Sequence, residues 1–268
     1  NSLESWQKVL ELDPQDVDAL RAIAANYRSA GAWEELSQSL RRLIQVGQLG
    51  ESGISQDELK ELFAQLGELE GETLMRTQDS IDAWREVLEI DAADFRALAA
   101  LEKLFMQEAR WEEAVDILER RARALATPNE QIDVLMQAAS LWADKIGDGG
   151  SAAEVYERVL QLDPGNMTAS IELEGLYKQR KSWVKLVDLL LSRTQYTADA
   201  QGRIQLLVQT AQIYEQQLND LDSAFVTLRA AFQEDYSNDH VAKELERLAT
   251  AADKWNELIG EYTQLVQG

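Results

Sequence analysis

Apolar residues recur every three to four positions along almost the whole chain, and polar turns interrupt them at regular intervals. The stretch from about Asn129 shows the pattern well: QIDVLMQAASLWADKI, SAAEVYERVLQLD, NMTASIELEGLYKQR and WVKLVDLLLSRTQ follow one another, each with a single apolar stripe. That period is the signature of an amphipathic helix with one buried face. Each piece ends at Gly, at Asp-Pro or at a polar turn, and in LDPGN the Asp-Pro step disfavours continuing the helix. Counting such pieces predicts about fifteen helices, arranged as seven antiparallel pairs preceded by a half pair.

The pattern also repeats on a longer scale. Trp33, Trp111, Trp183 and Trp255, each heading an apolar-periodic run, lie 78, 72 and 72 residues apart. WQKVLELDPQDVDAL from Trp6, WREVLEIDAADFRAL from Trp84 and YERVLQLDPGNMTAS from Tyr156 align without gaps, and LRAAFQEDYSNDHVA from Leu228 is a looser fourth copy. The six extra residues in the first interval fall around GQLGESGISQDE, which predicts a lengthened inter-helix loop over 47–57. A fixed period of this kind implies stacked supersecondary units, none able to cover its apolar face alone. The expectation is an all-α chain forming one α-solenoid domain over 1–268. The opening residues NSLESWQKVLELDP read as the middle of a repeat, so the chain is expected to be part of a longer array.

The segment AASLWADKIGDGGSAAEVYERVLQLDP resembles the tetratricopeptide repeat, through Ala139, Trp142, Ala152, Tyr156, Val159 and Pro164, with one extra residue in the turn between its helices. Its partner segment matches at Leu173, Tyr177, Trp183, Leu186 and Leu190, with Glu174 where the family has a small residue. The first unit matches at Ile23, Ala24, Tyr27, Trp33 and Leu36; the second at Leu101, Glu102, Phe105, Trp111 and Ala114. The resemblance covers nearly the whole chain. It implies a superhelix whose concave wall is built from the first helix of each pair, and a scaffold or adaptor that binds a peptide or helix of partner proteins there.

Composition narrows the chemistry. Leu, Ala, Glu and Gln dominate and only three prolines occur, in keeping with helices throughout. With 48 acidic against 26 basic residues the formal charge is −22, which argues against nucleic acid or an anionic membrane surface as the main partner. There is no cysteine, and no apolar run approaches the roughly 18 to 20 residues that cross a bilayer. The compartment stays open, with the cytoplasm as the default. The single histidine, His240, reads as a surface residue near a helix start, and acid pairs such as Glu34 with Glu35 or Glu112 with Glu113 as early-helix residues favoured by the macrodipole. GDGGS (147–151) reads as a turn, since it lacks the Gly-Lys-Ser/Thr of a phosphate loop. No catalytic residue, metal ligand or cofactor is expected, and the tryptophans read as packing residues.

The family alignment also singles out the groove-facing positions of each first helix. In the tryptophan-bearing repeats these carry Arg21, Arg28, Arg96, Lys103, Lys178, Lys243 and Arg247, against the one acid Asp18. In the alternate repeats they carry Glu61, Glu68, Glu72, Asp133, Asp144 and Glu215 and no base. The seven cations are therefore candidate partner-binding residues for acidic side chains or a carboxylate of an extended peptide, with salt bridges between neighbouring first helices as the alternative use. Two other functional expectations keep the same fold. One is a non-catalytic region of a larger enzyme or of a secretion, envelope or motility machine. The other is a half-a-tetratricopeptide scaffold of an RNA-processing complex, which the acidic charge disfavours.

Overall fold

The computed structural model describes residues 3–50 and 53–267 and contains fifteen α-helices among them. They are α1 (Leu3–Leu12), α2 (Val17–Ala30), α3 (Trp33–Gln48), α4 (Gln56–Glu68), α5 (Thr77–Ile90), α6 (Phe95–Gln107), α7 (Trp111–Ala124) and α8 (Pro128–Leu141). The remainder are α9 (Gly149–Leu162), α10 (Met167–Gln179), α11 (Trp183–Tyr196), α12 (Ala200–Gln216), α13 (Leu221–Glu234), α14 (Asp239–Ala251) and α15 (Trp255–Gln267). Helix α1 is the half pair, and α2/α3 to α14/α15 are the seven pairs of an α-solenoid. Two compact units divide the chain, residues 1–134 and 135–268.

Local chemistry sets where the first helix of most pairs starts. Asp16, Asp94, Asn166 and Asn238, spaced like the tryptophans, sit in extended backbone and accept a hydrogen bond from the first turn of α2, α6, α10 and α14. Ser55 and Asp199 do the same for α4 and α12. The turn before each tryptophan-bearing pair is held by an aspartate. Asp13, Asp91, Asp163 and Asp235 each accept from the backbone N–H two residues on. Proline follows only Asp13 and Asp163, so the stop belongs to the aspartate, which all four turns share.

The turn inside each pair comes in two lengths. After α2, α6, α10 and α14 the chain closes with an N–H to the carbonyl five residues back, as in Ala32 to Tyr27 (2.9 Å) and Ser182 to Tyr177 (2.9 Å). In the alternate pairs the closing bond spans six: Arg76 to Glu70 (2.7 Å), Asp148 to Trp142 (2.9 Å) and Asp220 to Tyr214 (2.8 Å). The extra residue widens the last turn into a π-helix at Leu69–Thr73 and again at Trp142–Ile146. Every one of the seven turns places one residue in left-handed backbone: Gly31, Met75, Ala109, Gly147, Lys181, Asn219 and Asp253. Only two of the seven are glycine.

The loop expected over 47–57 is shorter in the structure. Helix α3 continues to Gln48, where Gly47 packs closely on Ile54 and Leu59, and the Ser55 hydroxyl caps α4 by accepting from Glu58 N–H (3.2 Å). The connection is residues 49–55, of which Glu51 and Ser52 lie outside the described residues.

The core of the first unit is built from Leu20, Leu40, Leu43, Ile81, Leu98, Leu101, Phe105 and Leu118, all essentially without solvent contact. In the second unit Leu173, Leu186 and Leu190 are buried, and a further cluster forms around Phe225, Leu228, Phe232, Leu245 and Leu258. Trp84 is also buried. Trp33 and Trp255 keep about two fifths of their surface exposed, and Trp111 and Trp183 are half-buried at the same first position of α7 and α11.

Candidate docking face

In the first unit, α2, α4 and α6 present the first-helix face. Arg21 reaches from α2 to α4, donating through Nε (3.0 Å) and Nη2 (2.6 Å) to Glu58, and Arg28 donates to the Gln65 amide oxygen (2.5 Å). From the other side, Arg96 on α6 donates to Glu61 (3.0 Å) and Glu68 (3.2 Å) on α4. Lys103 stands 3.9 Å from Glu72, beyond hydrogen-bond range, and both side chains are largely exposed. The acidic band of α4 thus lies between two cationic bands and is bonded to both. The hydrogen bond that Arg96 donates to Glu61, above the other contacts, raises the pKa of Arg96.

The second unit repeats the device with fewer rungs. Arg247 on α14 grips Glu215 on α12 with two parallel bonds (2.7 and 2.8 Å) and also takes Glu244 on its own helix (2.9 Å). Lys178 turns along α10 to Glu174 (2.6 Å), and exposed Lys243 makes no ion pair among the described residues. His240 is exposed in the first turn of α14. Five of the seven candidate cations, Arg21, Arg28, Arg96, Lys103 and Arg247, therefore face a polar group on a neighbouring first helix.

Two polar clusters escaped the reading of the sequence. The first resolves the oddity of Glu102 and Glu174, which occupy a small-residue position. Nineteen residues on, each meets an arginine from the second helix of its pair, Arg121 and Arg193. Arg193 donates to the Ser170 hydroxyl (2.7 Å), the Ser170 carbonyl (2.6 Å) and Glu174 (2.6 Å), while Lys178 and Gln209 take the other carboxylate oxygen. Burial acts most strongly on Glu174 and opposes its ionisation. The bonds from Lys178, Gln209 and Arg193 together outweigh it and hold the carboxyl down at about 2. The signal was present as a Glu and an Arg at a constant spacing of nineteen.

The second cluster surrounds Glu70, which is 0% exposed in the π-helical turn after α4. Its Oε1 accepts from the Ser37 hydroxyl (2.5 Å) and Arg41 (2.9 Å), whereas Oε2 has no hydrogen bond and only Arg76 at 3.6 Å. Arg41 also pairs with Asp79, and Arg76 with Glu34. The equivalent positions one and two periods on are Trp142 and Tyr214, so a carboxylate sits where an aromatic ring is usual.

Among the described residues no group of three or more His, Cys, Asp or Glu is placed to hold a metal ion, and no helix is long and apolar enough to cross a membrane.

The family Tetratricopeptide repeat matches residues 97–132, which span the end of α6's first turn through α7 into α8. No curated protein matches the chain. Similar solved structures include Naa15/Naa10 bound to HypK (15% identity over 99% of this chain and 39% of that one, TM-score 0.49). They also include a tetratricopeptide repeat protein from Parabacteroides merdae (14%, 88% and 99%, TM-score 0.38) and YrrB, described as a TPR protein with an unusual peptide-binding site (13%, 94% and 100%, TM-score 0.34). The matched segment contains one of four pairs that share its capping position and its five-residue closing turn, and the chain is a tetratricopeptide-repeat-like protein.

Proposed function

We propose that the chain is a non-catalytic docking scaffold which holds an extended peptide or a helix of a partner protein along the first-helix face of its units. The observation that carries this reading is the ladder joining α2, α4 and α6. Exposed ion pairs of this kind contribute only about 0 to 1 kcal/mol each, so they do little for stability. What they do is fix the spacing of three helices while leaving their outward side chains, Ala25, Ser29, Ala99 and Gln107 among them, open to solvent. A preorganised polar surface loses less entropy when a partner lands on it. The same geometry gives the arginines a second role: they organise the face, and a carboxylate ligand has to displace Glu58, Glu61, Glu68 or Glu215 to reach Arg21, Arg96 or Arg247. Lys103 and Lys243 are the cations least committed to internal partners.

Affinity purification followed by competition on the face tests the reading. A partner that co-purifies with the parent is expected to lose at least tenfold in capture by Ala25→Trp/Ala99→Trp, and to be held normally by Val226→Trp on the second-helix side at α13. Equal capture by all three proteins would remove the first-helix face from the proposal.

A further inference from the structure

Between α4 and α6 the first-helix face is interrupted by a cleft of about 390 Å³ with a mostly apolar lining, near the lower end of the roughly 300 to 1,000 Å³ of ligand pockets. Two glycines one turn apart line it, Gly67 on α4 and Gly71 in the π-helical turn that follows. A Cβ on Gly67 would lie 2.8 Å from the Trp84 indole, and one on Gly71 would lie 2.6 Å from the Ser80 hydroxyl. Helix α4 and the turn after it therefore sit hard against α5, with Ser80 donating to the Gly67 carbonyl (2.7 Å). Trp84, itself only 4% exposed, and Leu104 help to line what remains, and Met75 stands at the edge in left-handed backbone with 76% of its surface in solvent. The equivalent positions in the second unit are Ala139 and Ala143, then Ala211 and Glu215, so the bare pair of glycines belongs to the first unit.

We infer that this cleft is a socket for one apolar side chain of a basic peptide, a leucine, methionine or phenylalanine flanked by lysine or arginine. The inference rests on the docking reading above and specifies its ligand. An unbranched thioether at the rim adapts to differently shaped side chains. The charge of the rim selects the flanks. Glu68 and Glu72 border the cleft against the single base Lys103, Lys103 only approaches Glu72 without a hydrogen bond, and the chain as a whole carries −22. An incoming lysine or arginine beside the apolar residue meets Glu72 directly and is drawn in by the surrounding field. A flanking carboxylate meets Glu68 and Glu72 instead.

Three labelled synthetic peptides decide the matter by fluorescence anisotropy at low salt: a lysine-flanked central leucine, the same peptide with central alanine, and a glutamate-flanked central leucine. The lysine-flanked leucine peptide is expected to bind the parent at least tenfold tighter than either of the others. Glu72→Lys should weaken it at least fivefold, Lys103→Glu should tighten it, and Ala100→Phe, which fills the cleft, should erase the preference for leucine over alanine. Ala100 is half-buried, so helicity and thermal midpoint are checked first; the two charge variants are on exposed side chains and stand independently. Equal binding of the leucine and alanine peptides, or tighter binding of the glutamate-flanked one, overturns the socket. Loss of partner capture in Ala25→Trp/Ala99→Trp alongside either result would leave the wider docking reading intact.

Discussion

Glu70 in the first unit and Glu174 in the second are both carboxylates taken out of water at positions where this fold ordinarily places an aromatic or a small residue. Both have two arginine or lysine neighbours. They differ in how completely their oxygens are used. Glu174, 15% exposed at the side chain, has both oxygens in hydrogen bonds of 2.6 to 2.9 Å from Lys178, Gln209 and Arg193. Glu70, fully buried, leaves Oε2 without a hydrogen bond although Arg76 is 3.6 Å away. A nearby opposite charge therefore does not by itself offset desolvation; a filled set of hydrogen bonds does. The fold favours the ionised form of Glu174, whereas Glu70 leaves one carboxylate oxygen without a donor.

The sharpest way to break this contrast is Arg193→Ala, which strips Ser170 and removes the donor to one Glu174 oxygen. Arg193 is itself only 10% exposed, so the loss should be about 3 to 5 kcal/mol in the second unit. Amide hydrogen exchange should show faster exchange in α10 and α11 with α2 to α6 unchanged. Acid should act next most strongly, and on the same unit. The folded-state pKa of Glu174 lies below its ordinary value of 4.5, at about 2, so its contribution is fully present above about pH 4.5 and is lost as the pH falls towards 2. Allowing for solvent screening, the loss is on the order of 1 to 3 kcal/mol. Urea midpoints of the parent should fall over that window, and those of Glu174→Gln should fall less. The smallest effect belongs to Glu70→Met. Replacing the partly satisfied acid by an apolar group of similar volume removes the unbonded oxygen but leaves the buried Ser37 hydroxyl without its acceptor, so stability should fall by about 1 to 2 kcal/mol at most. A drop of more than about 3 kcal/mol in denaturant titration would show that the Glu70 cluster is as well satisfied as that of Glu174.

The period of 72 residues made the helices and their pairing legible, and the first helix of each tryptophan-bearing pair starts at the same register: Asp16, Asp94, Asn166 and Asn238 need no tertiary context to cap a turn. The extra residue was legible in the turn between Trp142 and Ala152, but the π-helical turn it produces was not. The connection is narrower than the loop-like composition of 47–57 predicts, because Gly47 is helical and packs on Ile54 and Leu59. The signs of the charge bands could be read, and salt bridges between first helices stood as one of two uses, but which partner each cation takes could not be read. Arg96 reaches back to α4 and Lys178 along its own helix, a choice made by side-chain reach across a packing distance that the sequence does not contain. Buried acids were invisible for a different reason: a glutamate is almost never fully buried, so Glu70 reads as surface until its neighbours are known.

The alternating sign of the first helices makes the double repeat the smallest unit that can be copied or lost without conflict. Excising the α4/α5 pair would set Arg21 and Arg28 beside Arg96 and Lys103, and excising α12/α13 would bring Lys178 up to Lys243 and Arg247. Removing two consecutive pairs preserves the order of plus and minus along the stack. The array therefore has a parity: for lengthening or shortening this protein by design, the grammar of the face counts in pairs of pairs.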